Sequence, residues 1–444
     1  MKIAPAGDRA VLVDLGSVSA AELHGAAAAV RELPDVIACV AGHSSIFVVC
    51  RATPLLPAIT DSVRGARPRE RPGNVHRIPV SFRDEYAIDL PEFLARTSSS
   101  RQEFLKGVAG LRLGVRFIGF RGGFGYLDGW PAEWAMPRRP TSRPRVTRGS
   151  FGIAGSIAGF YPIDSPGGWN ILGRAGVDLE HALEPGDVIE IEPVEDVLAP
   201  INAGEGAGAT LSTLAPIRIV HGPLARWVGP EDWSRVGRGV SPGGPFDVEA
   251  AQAANRAVGN ADDAPVLECA LVGPRIVAER DLVLAWFGAR ADILSQFEVS
   301  AGTEINIGRL TGGARGYLAA GVSRGEITKL DRDDRLVIRA AAGPHEPAIR
   351  AMTCEVTPHL DRVGIRMRVI EPQLARAPAD LPSCGMTTGT IQLHPDGHAV
   401  VMGPDHPVTG GYLQPMTVIS SERWKIAQLA PGDRVRFVAD YLSP

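Results

Sequence analysis

Three glycine-dense segments with charge set among the glycines are the parts of this sequence best suited to hold a ligand. The first, Gly119-Phe120-Arg121-Gly122-Gly123-Phe124-Gly125-Tyr126-Leu127, leads to Pro137-Arg138-Arg139. Glycine lets a backbone approach a ligand closely, and a guanidinium fork holds a carboxylate or phosphate through two parallel hydrogen bonds. The second is Ser165-Pro166-Gly167-Gly168-Trp169. The third, Gly239-Val240-Ser241-Pro242-Gly243-Gly244-Pro245-Phe246-Asp247, ends where a helix is predicted to begin, and the free N–H groups of a helix start favour an anion. Asn255 and Glu268 lie downstream of it. The plain alternative for each segment is a tight turn packed by an aromatic, with Asp247 a helix cap, and spacing alone favours that alternative. The segments around Gly123 and Gly243 hold more glycine than a hairpin needs, so both are expected to line clefts.

Several other chemistries find no support. There is no GxSxG elbow, no HExxH helix and no GxGxxG after a strand. His394 and His398 have the i, i+4 spacing of zinc ligands, but Pro395-Asp396-Gly397 between them reads as a β-turn, so a surface hairpin is expected and no metal site. There are four lysines, Lys2, Lys106, Lys329 and Lys425. None stands in a phosphate-binding P-loop, and none has the setting of a biotin attachment site. The net charge of -4 gives no electrostatic reason to expect nucleic acid or an anionic membrane. No apolar run approaches the roughly 18 residues of a membrane span. Asp8 and Arg9 arrive too early for a signal-peptide core, and the five widely spaced cysteines form no disulfide framework, so a cytoplasmic protein is expected.

The elements that must position these residues are mostly strands. With 444 residues, 51 of them glycine and 36 proline, the chain suits short strands joined by tight turns. Residues 1–70 read as a small α/β domain in the order β-α-β-β-α. A capping box at Ser19 and Glu22 opens its alanine-rich helix. Residues 75–200 open on a strand, His76–Phe82. Two short helices follow, the second capped by Ser100 and Glu103, and strands continue to about Val197. Residues 202–213 read as a flexible linker. Residues 214–444 are again mostly β, with one helix from Val248, capped by Asp247. An echo joins the two halves. Gly167-Gly168-Trp169 precedes Pro185-Gly186-Asp187 and a strand, and Gly410-Gly411-Tyr412 precedes Pro431-Gly432-Asp433 and a strand. That order predicts two copies of one β module.

Residues 119–127, 137–139 and 149–174 resemble the family called allophanate hydrolase subunit one. The segment from Phe151 to Gly155, with Tyr161-Pro162 and Gly173-Arg174, carries much of the likeness. Residues 237–290 resemble subunit two, as do Asp361 to Gly364, Gly389 to Gln392, Thr409-Gly410-Gly411-Tyr412 and Leu429–Phe437. The resemblance implies a mainly β fold of multiple cyclophilin-like β barrels with a small α/β cap, two of the lobes falling in 214–444. It also implies a fusion of the B and C components of an ATP-dependent 5-oxoprolinase, working with a separate A component. ATP with magnesium would be used in that complex, no cofactor would be covalently bound, and self-association is left open. By the same resemblance, Asp247 and Glu268 are the candidate acid–base groups. The candidate substrate contacts are Gly122, Gly123, Tyr126, Arg138, Arg139, Gly167, Gly168, Trp169, Ser241, Gly243, Asn255, Thr409, Gly410, Gly411 and Tyr412.

The sequence departs from the family pattern at Val108, where the first module usually has a histidine, at Gly122, where proline is usual, and at Ser81, where cysteine is usual. The stretch between Ala320 and Asp333 is also short for the family. These departures keep in view a binding or regulatory protein related to the kinase-inhibitor members; a carboxyltransferase module like that of urea carboxylase is a second alternative, which needs partners supplied on other chains.

Overall fold

A computed structural model describes the chain except for residues 71–72, 142, 181, 198–215, 292–294, 346–348, 373–380 and 440–444. The linker expected at 202–213 lies outside the described residues. The N-terminal unit is one antiparallel sheet in the order Lys2–Pro5, Ala10–Asp14, Ser45–Cys50, Val36–Ala41. The strand Lys2–Pro5 adds one element to the expected order. Helices Ala20–Arg31 and Leu56–Gly65 cover one face, and the capping box of Ser19 with Glu22 forms as read. Side chains alternate along each strand. Val11, Val13, Cys39, Ile46 and Val48 face the helices, while Leu12, Val40, Phe47 and Val49 face Val236, Cys384 and Val408 of the second half. Both faces are dry, which explains why these strands read as continuous apolar runs.

Two closed seven-stranded barrels follow the same plan. The first uses Val75–Ser81, Arg112–Ile118, Gly125–Asp128, Ser150–Ala154, Ile157–Phe160, Asn170–Ala175 and Val188–Val194. The second uses Val337–Ala342, Ala351–Leu360, Gly364–Glu371, Thr390–Leu393, His398–Met402, Leu413–Val418 and Arg434–Ala439. Counted in chain order, the strands around each wall run fifth, third, second, seventh, first, sixth, fourth. In both, the first and seventh strands are the parallel pair.

The echo falls on equivalent places. Trp169 and Tyr412 each precede the sixth strand, and each Pro-Gly-Asp turn precedes the seventh. Asp187 Oδ2 accepts from the N–H of Glu184 at 2.9 Å, and Asp433 Oδ2 accepts from that of Ala430 at 2.9 Å. Gly186 and Gly432 hold φ of 98° and 87° and donate to Val115 and Val356, which sit on the second strand of their own barrels. Each barrel also carries an outlying strand pair before its sixth strand, Arg143–Val146 with Ser165–Gly167 and Cys384–Gly385 with Thr409–Gly410.

Where two barrel lobes were expected in 214–444, the described residues close one barrel. Residues 217–321 instead form a layered unit. The helix Val248–Ala257 packs on a five-stranded sheet through Ala250, Ala254, Val283, Ala285, Tyr317 and Ala319. The other face of that sheet, through Leu267, Leu284, Trp286 and Leu318, packs on a three-stranded sheet. With both faces covered by other elements, the sheet buries its apolar residues without curling shut. No helix among the described residues is long and apolar enough to cross a membrane.

Candidate functional site

The outer wall of the second barrel is polar yet buried. Along Thr390–Leu393, Ile391 and Leu393 point into the barrel core, and Thr390 and Gln392 lie on the opposite face. Thr417 lies between the core residues Met416 and Val418 on the neighbouring strand. Such alternation ordinarily marks a strand facing water. Here Thr390, Gln392, Gln414 and Thr417 are at most 3% exposed, and the N-terminal turn at Gly7 lies against Thr417. Gln392 Nε2, Gln414 Oε1 and the Thr417 hydroxyl have no hydrogen-bond partner among the described residues.

The first and second glycine segments meet this wall. The loop Gly119–Phe124 sits between the second and third strands of the first barrel, and the Phe120 N–H donates to Thr409 Oγ1 at 2.7 Å. The Arg138 guanidinium lies against the backbone of Gly411, where a methyl group would come within 2.7 Å of it. A methyl at Gly410 would come within 2.5 Å of Gln392 Nε2. Ser383 Oγ donates to Tyr126 Oη at 3.4 Å. Trp169 packs edge-on against Phe124 and Tyr126, and the Tyr161 ring fills the space that a side chain on Gly167 would take. Burial pushes the Tyr161 phenol up, and the Arg138 charge opposes that shift. Tyr412 stacks on His394 with ring centroids 4.1 Å apart. Thus Tyr126, Arg138, Gly167, Trp169 and Thr409 to Tyr412 come together between the barrels. Gly122 and Gly123 form the turn of the same loop, Gly123 being buried.

Arg139 is committed elsewhere. Its N–H donates to Gly168 O at 2.8 Å, and its Nη1 donates to Asp89 at 3.0 Å. Asp89 also receives Arg143 and the N–H of Ile171, which ties the preceding helix to the sixth strand.

The third segment is a seam. Gly239 lies against the Arg121 carbonyl, where a methyl would come within 2.7 Å. Ser241 Oγ donates to His406 O at 2.6 Å, and Gly243 N–H donates to Pro404 O at 3.1 Å. The cleft expected at Gly243 has open space beside that residue alone. A cleft of about 740 Å³ opens at a different junction, lined by Arg31, Glu184, Trp233 and Arg238.

Asp247 and Glu268 are 1% and 3% exposed and fully engaged. Asp247 caps its helix through the N–H of Ala250 and accepts from Arg332 at 2.9 Å and Gln428 at 3.0 Å. Burial raises its pKa, and Arg332 opposes that shift. Glu268 accepts from Arg362 at 2.7 Å, from Tyr317 at 3.0 Å and from the N–H of Phe246 at 2.9 Å. Arg362 in turn holds Asp405 through both carboxylate oxygens at 2.9 Å, and Gly244 O at 2.7 Å. The expected acid–base pair therefore locks the layered unit onto the second barrel. Asn255 likewise donates to Ala264 O at 2.8 Å and closes a turn after the helix.

Sequence reasoning missed Cys384 with His345. Their Sγ and Nε2 are 3.9 Å apart. The backbone N–H of Gln414 donates to His345 Nδ1 at 3.0 Å, so the ring proton sits on Nε2 and points at the sulfur. In that tautomer the imidazole cannot take the thiol proton, and burial pushes the thiol up to about 12. His394 and His398 flank the expected hairpin turn, and His398 pairs with Asp396. No group of three or more metal-ligating side chains occurs among the described residues.

Residues 1–182 match the family model "Carboxyltransferase domain, subdomain C and D". Residues 238–330 and 328–439 match "Carboxyltransferase domain, subdomain A and B". The chain is similar to the 5-oxoprolinase B subunit of Escherichia coli O157:H7, at 28% identity over 180 residues, 37% of this chain and 81% of that one. It is similar to the 5-oxoprolinase C subunit of Haemophilus influenzae, at 23% identity over 258 residues, 45% of this chain and 83% of that one. The crystal structure of TTHA0988 superposes with a TM-score of 0.82 at 25% identity, over 97% of this chain and 100% of the other.

Proposed function

We propose that this chain, which belongs to the carboxyltransferase-domain family with its C–D region ahead of its A–B region, is the fused B–C component of an ATP-dependent 5-oxoprolinase. It would act with a separate A component to open 5-oxoproline to glutamate. The observation that carries this reading is the buried polar surface between the barrels, where the loop Gly119–Phe124 and Arg138 of one half face Thr409 to Tyr412 of the other. Arg138 supplies a fixed cation, Gly410 and Gly411 bring backbone close to Gln392 and Arg138, and Tyr126, Tyr161 and Gln392 supply hydrogen-bonding groups. That is a binding surface for a small anionic amide. A lactam is resonance-stabilised and resists hydrolysis, and phosphorylation of its carbonyl oxygen by ATP would make it a better electrophile. Cys384 and His345 are no nucleophile–base pair for that step, because the imidazole nitrogen facing the sulfur carries the proton. Asp247 and Glu268 are read as groups that position the Gly243 turn, and the activating chemistry falls to the A component.

Purified chain alone should not hydrolyse 5-oxoproline. Addition of an A-component protein, ATP and magnesium should give glutamate, and Arg138→Met should lower that rate at least tenfold. Turnover by the lone chain would overturn the division of labour. No turnover with its native partner would favour a binding or regulatory protein.

A further inference from the structure

We propose that the groove between the two helices of the N-terminal unit is a binding site for a medium-chain aliphatic monocarboxylate, whose tail lies in the groove and whose carboxylate pairs with Arg64. The groove has a volume of about 490 Å³. Small-molecule sites commonly run from about 300 to 1,000 Å³. Leu15, Val18, Ala26, Val63, Ala66 and Pro68 line it. Leu15, Val18, Val63 and Ala66 are half-buried: each packs on the core of this unit and keeps part of its surface uncovered.

Two features keep the space open. Ala26 and Ala66 end at Cβ, so neither fills the room between the helices Ala20–Arg31 and Leu56–Gly65. The wall made by Ala66 and Pro68 is also held in place from behind. The Arg69 N–H donates to Ala21 O at 2.8 Å, and a methyl on Gly25 would come within 2.1 Å of Arg67 O. The chain after the second helix is thus seated on the first helix, and the groove exists before a ligand arrives. A preformed site spares the ligand the cost of ordering it.

The walls select the ligand. Glu22 and Arg64 are the charged side chains on the groove. Glu22 is committed, since its Oε2 accepts from the Ser19 N–H at 2.7 Å and from the Ser19 hydroxyl at 2.8 Å. Arg64 lies in the last turn of Leu56–Gly65 and makes no hydrogen bond or ion pair among the described residues. An amine would meet the Arg64 charge with Glu22 already bonded. A carboxylate matches the guanidinium fork and keeps away from Glu22. No aromatic ring lines the groove, so an aromatic ligand has nothing to stack on, while an aliphatic tail buries apolar surface against the leucine, valine, alanine and proline walls. None of these residues lies on the surface between the barrels, so the site does not rest on the functional reading above.

The test is calorimetric titration of the full chain near neutral pH with octanoate, 1-octanol and acetate. Octanoate should bind saturably at one site, and acetate, which lacks the tail, should show no binding. Arg64→Met should weaken octanoate about fivefold, the contribution of one exposed ion pair, and leave 1-octanol unchanged. Ala66→Leu, which puts a side chain into the groove, should weaken both about tenfold. Arg64 is exposed and Ala66 half-buried, and circular dichroism melts establish that each variant is folded. Absence of saturable octanoate binding, an equal effect of Arg64→Met on octanoate and 1-octanol, or undiminished binding by folded Ala66→Leu would overturn the site. So would several weak sites that neither variant moves, which is adsorption to apolar surface.

Discussion

Glu268 and Asp247 look in the sequence like any pair of carboxylates near a glycine turn. What separates them from catalytic groups is who sits beside them, and those partners are remote: Arg362 lies 94 positions from Glu268 and Arg332 lies 85 from Asp247. No local pattern carries that information. Removing one member of a buried pair strands the other charge, at a cost of about 3–5 kcal/mol. Glu268→Gln should therefore lower the urea midpoint of unfolding markedly while the turnover per folded molecule in the complex changes little. A large loss of turnover with stability intact would make Glu268 a catalytic residue after all. His406 gives a pH signature at the same scale. Its folded value is about 4 against an ordinary 6.5, so above pH 6.5 both states are neutral and it contributes nothing. As pH falls from 6.5 to about 4, the unfolded chain takes up a proton that the folded chain refuses, and stability falls by about 3 kcal/mol. His406→Gln should remove that part of the decline, measured as the unfolding free energy at pH 7 minus that at pH 4. An identical decline in the variant would place the titrating group elsewhere.

Helix starts were the most legible elements, because a cap is a local arrangement. Both capping boxes form as read, at Ser19 with Glu22 and Ser100 with Glu103, and Asp247 caps its helix through the N–H of Ala250. Ser100→Ala should cost about 1 kcal/mol in chemical denaturation, and a change within error would show that tertiary packing alone holds Arg101–Ala109. The repeated Pro-Gly-Asp turn was legible for the same reason, since its aspartate bonds back only three residues. The polar wall was not. Thr390, Gln392 and Thr417 alternate with apolar residues as a water-facing strand would, yet all three are buried, Thr417 against the N-terminal turn at Gly7. The second-half barrel count also went unread. Short strands with glycine turns serve an open layered sheet as well as a closed barrel, and the helix Val248–Ala257 decides between them by covering one face.

At the scale of the whole molecule, the N-terminal unit ties the halves together. It binds the first barrel through Arg116, whose guanidinium donates to His43 O at 2.7 Å and Val18 O at 2.6 Å, while His24 donates to the Arg116 carbonyl at 2.7 Å. It binds the second half through the apolar cluster of Leu12, Val40, Phe47 and Val49 with Val236, Cys384 and Val408, and through Asp8 on Ser420. Buried apolar surface contributes about 25 cal/mol per Å², so a cluster of this kind is a stable interface without a covalent tether. Joining the halves in one chain raises the effective concentration of one for the other. A protease site placed at 202–213 and cut in the folded protein should leave one species on gel filtration at micromolar concentration. Phe47→Asp sets a charge in the centre of the shared cluster, where Phe47 is 0% exposed, and after the same cut it should give two species. Two species from the cut parent chain would mean that the halves are held by the tether, and that the surface between the barrels is not a fixed site.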